Sequence, residues 1–254
     1  MLLVADIGNT QTHLGVYDAR ELLVNWRLST RATDTADELL ISLATLLAQD
    51  VKPLAIDRVA LASVVPELSG EWVLAAQRLS GSEPLMLTHE TAIGFTCICD
   101  SPEEIGADRI ADALAAVELY GAPVVVVDFG TATNIEVINE DGAFAGGIIA
   151  PGLLTSTNAL FDAAARLPRI DIEIPPRVIG RSTKSAVQSG LTYGEIDRID
   201  GLVRRIFDEL GYKAPVVATG GLSRRVLELS ATITAVNDNL TLEGLRLAYE
   251  RHSL

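Results

Sequence analysis

Two short stretches of the sequence present an aspartate, a glycine and small hydroxyl or amide residues in the same order. They are Asp6-Ile-Gly-Asn-Thr10 and Asp128-Phe-Gly-Thr-Ala-Thr133. A glycine has no Cβ, so a ligand can approach its backbone closely, and the donors that follow form a concave set suited to phosphate oxygens. The aspartates would repel a phosphate unless they hold Mg²⁺ or its waters, which screen that charge. These residues therefore predict a phosphate site that works with Mg²⁺.

The alternative is that both stretches are ordinary hairpins, in which Asp and Gly only shape the turn. One copy alone would favour that interpretation. Two matched copies, about half of the 254-residue chain apart, favour the phosphate site.

Each turn joins two apolar segments with the character of strands, Leu2–Asp18 around the first turn and Val124–Asn139 around the second. Helical patterns follow both hairpins. Such a long-range repeat predicts a duplicated, two-lobed architecture. We expect an N-terminal lobe at residues 1–116 and a C-terminal lobe at residues 117–254.

The composition is that of a globular protein with an acidic surface. Apolar residues make up 48% and charged residues 21%, and 20 basic against 34 acidic residues give a net charge of −14. This balance argues against nucleic acid or an anionic membrane as the main partner. Apolar runs fall short of the roughly 20 residues that span a bilayer, and the opening residues reach Asp6 too soon for a signal peptide. A cytoplasmic protein is expected.

The cysteines, Cys97 and Cys99, stand two positions apart in a predicted strand. Side chains two apart on a strand face the same way, which makes them poor disulfide partners, and a histidine that could complete a metal site with them is not near in sequence. Two reduced thiols are expected.

The rest of the chain alternates between strand and helix signals. Thr35-Ala-Asp-Glu38 is a capping box that predicts a helix, and Pro66 suits the first turn of another. The segment Glu83–Asp100 is expected to hold two strands, the second around Phe95–Ile98. A helix follows that starts either at Ser101, with Glu104 closing a capping box, or at Gly106. Later helices are predicted at residues 151–165, 183–210 and 240–251, with an irregular proline-rich segment at 168–181.

Seven short motifs follow one another along the chain. They are Asp6-Ile-Gly-Asn-Thr10, Ser63-Val-Val-Pro66, Gly106-Ala-Asp-Arg109, Asp128-Phe-Gly-Thr-Ala-Thr133, Gly146-Gly-Ile-Ile-Ala-Pro-Gly152, Thr219-Gly-Gly221 and Leu240-Thr-Leu-Glu-Gly244. The order of elements, given twice, is typical of the actin-like, sugar kinase and Hsp70 superfamily, and by these motifs the sequence resembles the type III pantothenate kinases over nearly its whole length. The resemblance implies two duplicated actin-like, ribonuclease H-like lobes of α/β class, with mixed sheets flanked by helices.

The resemblance implies roles for individual residues. ATP phosphates and Mg²⁺ would be bound at the two turns, with Asp6 holding Mg²⁺ through water, and the adenosine would lie against a third, glycine turn. The residues concerned are Asp6, Ile7, Gly8, Asn9, Thr10 and Gln11, then Thr131, Ala132 and Thr133, then Gly220 and Gly221. A monovalent cation, K⁺ or NH₄⁺, is also implied, with Asp128 as its ligand.

The pantothenate site of the family matches Gly106, Ala107, Asp108 and Arg109, with Cys99 just before it. There the Asp is the general base and the Arg binds the substrate carboxylate. Both roles are physically sound, because a guanidinium fork suits a carboxylate and an aspartate beside a hydroxyl can take its proton as the phosphoryl group transfers. The plain alternative is a helix-start charge with a surface ion pair. Thr183 matches a residue that reaches the pantothenate of the other subunit, so the resemblance implies a homodimer.

Four positions depart from the family's usual pattern. Cys99 and Ser101 replace a Tyr and an Asn, while Asn134 and Glu136 replace a Thr and an Asp. These departures keep two further hypotheses open. One is a weakened relative that binds nucleotide or pantothenate and regulates a partner, and the other is a kinase of another small hydroxy acid.

Overall fold

The computed structural model describes residues 1–50, 56–164, 167, 169–221 and 223–253. The chain divides into two compact units. The first contains residues 1–119 together with the C-terminal residues from Asn239 onward, and the second is Tyr120–Asp238.

The first unit is built on a five-stranded sheet in the order β3-β2-β1-β4-β5. Strand β1 is central, pairs antiparallel with β2 and parallel with β4, and is buried along most of its length. A strand covered on both faces reads as a continuous apolar run, which Leu2-Leu-Val-Ala does. The strands are β1 (Leu2–Ile7), β2 (Gln11–Asp18), β3 (Glu21–Ser29), β4 (Arg58–Ser63) and β5 (Leu85–Met86).

Helices cover both faces of this sheet. They are α1 (Ala36–Asp50), α2 (Pro66–Ser80), α3 (Ala107–Tyr120) and α7 (Leu240–His252). Helices α1 and α2 pack with Leu3, Ala5 and Ile7 on one face. Helices α3 and α7 pack with Leu2 and Val4 on the other face.

Local signals explain where these helices begin. The predicted capping box is present at α1, where the Thr35 backbone N–H donates to Glu38 Oε2 at 3.0 Å and the Glu38 backbone N–H donates to Thr35 Oγ1 at 3.4 Å. Pro66 occupies the first turn of α2, where its missing N–H costs nothing. Helix α3 takes the second of the two predicted starts, next to Gly106, and a separate 3₁₀ turn covers Pro102–Glu104.

The second unit repeats the arrangement with a five-stranded sheet in the order β10-β9-β6-β7-β8. Here β6 is central, antiparallel to β7 and parallel to β9, as β1 is to β2 and β4. Helix α5 packs on one face, with its apolar residues against β6, β7 and β9. The elements are β6 (Val124–Phe129), β7 (Ala132–Ile138), β8 (Phe144–Pro151), α4 (Leu153–Ala163), α5 (Thr183–Leu210), β9 (Val216–Gly220), α6 (Ser223–Leu227) and β10 (Ala235–Val236).

The two matching mixed sheets confirm the predicted fold class. The lobe boundaries at residues 116 and 117 stay a prediction about domains. The structure adds that α7 is part of the first unit, although it follows the second unit in sequence. The physical reason is that Leu242 and Leu245 are fully buried against Leu2 and Val4 of β1.

The predicted strand around Phe95–Ile98 is wrong, because that segment contains only an isolated bridge at Cys97. The expectation of two reduced thiols is also wrong, since Cys97 and Cys99 form a disulfide in the structure. Without a regular strand the chain bends, and the two Cα atoms lie 5.5 Å apart, a separation that a disulfide can bridge.

One smaller difference concerns a helix. Helix α4 ends at Ala163 rather than at Ala165, and Ala165 itself lies outside the described residues. In the described part of the chain, no helix is both long and apolar enough to span a bilayer.

Candidate active site

The first turn lies between β1 and β2, at the carboxyl end of the central strand. The Gly8 backbone N–H donates to Gln11 O at 3.1 Å, and a Cβ on Gly8 would lie only 2.9 Å from that oxygen. A glycine is therefore required for the tight turn. Asn9, Thr10 and Gln11 are exposed, so the predicted donors point away from the core.

Strand β3 holds this turn in place. The Thr30 backbone N–H donates to Thr10 O at 2.9 Å, and the hydroxyls of Thr12 and Thr30 lie 2.9 Å apart. Ile7 is fully buried, so it contributes backbone rather than side chain. The result is a set of exposed donors on a fixed backbone, which is what a phosphate-binding turn requires.

Asp6 is half-buried near the end of β1, opposite His13 of β2 and Ala62 of β4. Among the described residues, no group of three or more His, Cys, Asp or Glu side chains is placed to hold a metal ion. A single carboxylate suits Mg²⁺, which keeps most of its waters and is usually bound by one or two carboxylates with substrate phosphates.

The segment that carries Asp108 comes to the same edge of the sheet as Asp6. Strand β4 runs parallel to β1, and beyond it the Val64 backbone N–H donates to Ile7 O at 3.1 Å. A Cβ on Gly106 would lie 3.5 Å from Val64 Cγ1 and would overlap the Asp108 carboxylate. The glycine therefore lets this carboxylate fold back beside the end of β4.

The pKa of Asp108 is raised above its ordinary value. Burial raises the pKa of this carboxyl, although the Arg109 backbone N–H, which donates to Asp108 Oδ1 at 2.8 Å, and the Arg109 charge oppose the shift. A carboxylate with a raised pKa binds a proton more strongly, which makes it a better general base.

The other predicted substrate residues differ in what they offer. Ala107 is buried in the core of the first unit and contributes backbone alone. Cys99 is bonded to Cys97 and presents no thiol. Its backbone N–H lies 3.1 Å from Cys97 Sγ.

The second turn lies between β6 and β7. The Gly130 backbone N–H donates to Ala132 O at 3.0 Å, and Thr131 O accepts from the Gly152 backbone N–H at 3.1 Å. The Thr155 hydroxyl donates to the same oxygen at 2.6 Å. Thr131 itself is exposed. The start of α4 therefore fixes this turn in the way that β3 fixes the first.

Thr133 does not join Thr131 at the exposed turn. Its side chain is 1% exposed, and its hydroxyl donates to Glu195 Oε1 on α5 at 3.0 Å. The reason is that β7 begins at Ala132, so Thr133 already points to the sheet face that α5 covers.

Asp128 and the third glycine turn lie together at the carboxyl ends of β6 and β9. Asp128 pairs with Thr219, and Phe129 pairs with Gly220. Gly220 has a φ of +87°, and a Cβ there would lie 2.6 Å from both Asp128 Oδ1 and Phe129 O. Only glycine fits this position. Gly221 follows in an exposed turn.

Thr183 begins α5 and borders a groove in the second unit of about 890 Å³. Apolar side chains dominate its walls. The lining residues are Leu160, Leu167, Gly180, Arg181, Ser182, Thr183, Ala186, Val187, Gly190 and Leu191.

The residues that sequence reasoning missed are those that hold the second turn. Glu195 contacts Thr133, Arg198 contacts Thr133 and the carbonyl of Pro151, and Thr155 contacts Thr131. The signal of Glu195 and Arg198 in the sequence is charge within an otherwise amphipathic helix, which usually marks a solvated face, and Thr155 gives no such signal.

Two mixed sheets, each with an aspartate and a glycine turn at the carboxyl end of its central strand, define the class as the duplicated α/β fold of actin-like ATPases and sugar kinases. The activator of 2-hydroxyisocaproyl-CoA dehydratase from Clostridium difficile, solved with bound ADPNP, has a TM-score of 0.55 at 11% identity, covering 99% of this chain and 95% of that one. A Campylobacter jejuni protein described as a Baf family transcriptional activator has a TM-score of 0.64 at 19% identity, covering 99% and 98%. These likenesses concern the fold alone.

Sequence similarity identifies the family. A model of the type III pantothenate kinases matches residues 2–205. The type III pantothenate kinase of Thermomicrobium roseum is 45% identical over 252 residues, which are 99% of this chain and 97% of that relative. The chain belongs to the type III pantothenate kinase family.

Proposed function

We propose that this chain transfers the γ-phosphoryl group of ATP to the hydroxyl of pantothenate, giving 4′-phosphopantothenate, the first step of coenzyme A biosynthesis. Family membership supports the reaction. The observation that carries the assignment of residues is the position of Asp108. A partly buried carboxyl, whose pKa is raised by loss of solvent, lies beside the end of β4, next to the strand that carries the Asp6 turn.

In this proposal Asp108 orients the pantothenate hydroxyl and accepts its proton. The hydroxyl oxygen bonds to the γ-phosphorus while the bond from that phosphorus to the ADP oxygen breaks. Arg109, the residue after Asp108, binds the pantothenate carboxylate with its planar fork. Gly106 serves by leaving room for the Asp108 carboxylate.

The two turns are proposed to bind ATP phosphates. The first offers the Gly8 region with Asn9, Thr10 and Gln11, and the second offers Thr131 with the backbone around Ala132. Mg²⁺ neutralises charge on the phosphates when it is bound with ATP, and Asp6 would hold it through water. Thr133 is assigned here to support of the turn rather than to ATP, because its hydroxyl is engaged by Glu195.

Asp128 is proposed as the ligand of a monovalent cation, K⁺ or NH₄⁺, and Gly220 with Gly221 as the backbone against which adenosine lies. The support for the glycine role is the close approach of Gly220 to Asp128 and Phe129, which excludes a side chain at position 220.

The working unit is proposed to be a homodimer. The groove beside Thr183 exposes apolar surface, and near it Val178 and Ile179 are 65% and 81% exposed. Exposed apolar surface next to polar residues can mark a contact with another protein chain. A twofold contact is isologous, so each chain would both give and receive Thr183.

The direct test is release of ADP in a coupled assay with ATP, Mg²⁺ and pantothenate, with and without K⁺ or NH₄⁺. Turnover that needs all of these supports the proposal and eliminates a purely regulatory relative. ATP binding with turnover only on another hydroxy acid would overturn pantothenate as the substrate.

The dimer is tested by mixing two inactive variants, Asp108→Asn and Thr183→Val. A heterodimer contains one site with both residues intact, so mixing should restore part of the activity. A monomer in sedimentation at assay concentration, or no rescue after proven subunit exchange, would contradict the dimer.

A further inference from the structure

Glu195 and Arg198 lie one turn apart on α5 and form an ion pair with an N–O distance of 2.6 Å. The Glu195 side chain is 6% exposed and the Arg198 side chain 29% exposed. Removing a carboxylate from water is costly, and an ion pair repays that cost only with good geometry and further hydrogen bonds. The stability of this ion pair therefore depends on its further contacts.

Arg198 reaches beyond its own helix to two strands. Its two terminal nitrogens donate to Pro151 O at 3.1 and 3.0 Å, and one of them lies 3.3 Å from Thr133 Oγ1. The Thr133 hydroxyl in turn donates to Glu195 Oε1 at 3.0 Å. The planar guanidinium fork serves the carbonyl and the carboxylate together, which a lysine could not do.

Thr133 and Pro151 are the positions that flank the second turn. Ala132 pairs with Pro151 across β7 and β8. The next residue, Gly152, donates to Thr131 O at 3.1 Å, and a Cβ on Gly152 would lie 2.6 Å from that oxygen. The backbone of Pro151 and Gly152 packs directly against the turn, so a shift of Pro151 moves Thr131.

We infer that Glu195 and Arg198 are positioning residues that fix the position of the second turn, Gly130-Thr131, and hence the affinity of this chain for the phosphates of ATP. The pair touches no reacting atom in this assignment and acts only through Thr133 and Pro151. The inference rests on the proposed role of the turn in binding ATP.

The experiment compares Michaelis constants in Arg198→Met, Arg198→Lys and Glu195→Gln. A small displacement of a binding group reduces affinity strongly, so KM for Mg·ATP should rise roughly 10- to 100-fold, while KM for pantothenate stays unchanged. Arg198→Lys should not restore the wild-type value. In the double variant Glu195→Gln, Arg198→Met, KM for Mg·ATP should be only slightly higher than in the more strongly impaired single variant, because the two residues act as one unit.

A matched control lies on the same helix. Arg204 is paired with the buried Asp200 at 3.6 Å, and Asp200 accepts hydrogen bonds from the 230–232 segment rather than from the second turn. Arg204→Met removes the same charge from α5 and should leave KM for Mg·ATP unchanged. Hydrogen exchange of the amides of residues 130–133 should be faster in Glu195→Gln than in wild type, which gives a second measurement if Arg198→Met does not fold.

A parallel variant, Thr131→Ala, tests the role of the turn in binding ATP separately from the role of the Glu195–Arg198 pair in positioning it. If Thr131→Ala raises KM for Mg·ATP and the Arg198 and Glu195 variants only lower the melting temperature, the pair is a structural support and the inference fails while the role of the turn stands. If none of these variants changes KM for Mg·ATP, the turn does not bind phosphate and both fail.

Discussion

The raised pKa that makes Asp108 more basic also lowers the stability of the folded protein when Asp108 is ionised. Burial raises its pKa, and a carboxyl whose folded pKa lies above its unfolded value of about 3.9 contributes most to stability when it is protonated. That contribution is present below the unfolded pKa and is lost as the pH rises through the folded pKa. At neutral pH the ionised side chain is therefore a local destabilising element, held in place by the rest of the first unit.

We predict that Asp108→Asn lowers kcat by roughly 10²- to 10⁴-fold and leaves the melting temperature at pH 7 equal to or above that of wild type. The amide removes the proton acceptor and also the desolvated charge. Steady-state kinetics and thermal unfolding measure the two effects on one sample. The same substitution at the exposed Asp208 should change neither, and normal turnover in Asp108→Asn would reduce Asp108 to a helix-start residue.

Asp200 shows the opposite behaviour. Burial alone would raise its pKa, but hydrogen bonds from the hydroxyls of Ser230 and Thr232 and from the backbone N–H groups of Ala231 and Thr232 outweigh it, so the pKa of Asp200 is lowered. The two hydroxyl contacts are 2.6 Å long. A lowered pKa contributes stability above the unfolded value of about 3.9, and this is lost as the pH falls through the folded value.

We predict that Asp200→Asn reduces the free energy of unfolding at pH 7 by about 1–3 kcal/mol, the usual loss for hydrogen bonds to a buried charged group. The difference from wild type should begin to shrink below about pH 4, where the carboxyl of the unfolded chain becomes protonated, and should be lost as the pH falls through the lower folded pKa of Asp200. Urea unfolding at a series of pH values tests this. A difference that stays constant with pH would show that the ionised form is not what stabilises the 230–232 segment.

At the scale of elements, α4 and the second turn are so tightly joined that one methyl group should separate them. Gly152 stands at the N-cap of α4, and a Cβ there would lie 2.6 Å from Thr131 O. We predict that Gly152→Ala displaces the turn and lowers kcat/KM for Mg·ATP by roughly 10-fold or more. Gly201→Ala is the matched control, because a Cβ on Gly201 would meet nothing within 4 Å.

The control variant, Gly201→Ala, has its own expected result. Gly201 lies within α5, where alanine is favoured over glycine by roughly 0.5–1 kcal/mol, so Gly201→Ala should raise the melting temperature without changing the kinetics. Equal kinetic constants in the two alanine variants would contradict the close fit of Gly152 against the turn.

Elements with strong local signals were predictable from the sequence, and elements that depend on a partner were not. Helix α5 was predicted over its whole length of Thr183–Leu210, because 28 residues give the apolar period many repetitions. The segment around Phe95–Ile98 has strand-forming residues, but in the structure it pairs only through an isolated bridge at Cys97. Elements as short as α6 and β10 have too few residues for any period to show.

Some residues of the candidate site were likewise predictable from the sequence, and others were not. The glycine turns and Asp108 were predictable because their chemistry lies within a few consecutive residues. The contacts of Thr133 with Glu195 and Arg198 join positions 62 and 65 residues apart. A sequence pattern carries no information about such a pairing until the strand and the helix are packed together.

At the scale of the whole molecule, α7 completes one face of the first unit although it is the last helix of the chain. A Cβ on Gly244 would lie 2.7 Å from Ala111 Cα, and the backbones of α7 and α3 are in contact there. Overpacking at such a contact typically costs 1–3 kcal/mol. We therefore predict that Gly244→Ala lowers the melting temperature, as measured by calorimetry.

The control for that prediction is Gly70→Ala in the same unit. Gly70 lies in α2, and a Cβ there would meet nothing within 4 Å, so the melting temperature should rise slightly or stay the same. If Gly244→Ala were as stable as Gly70→Ala, the two helices would have room that the structure does not give them.

Because α7 belongs to the first unit, the order of synthesis differs from the order of completion. A ribosome releases Tyr120–Asp238 as one continuous stretch, so every residue of the second unit is available before α7 has been made. Until then Leu2, Val4 and Ala111 lack the helix that covers them, and the half-built first unit exposes an apolar face of the kind that promotes aggregation of newly made chains. The unit that is translated first is thus the one that is finished last.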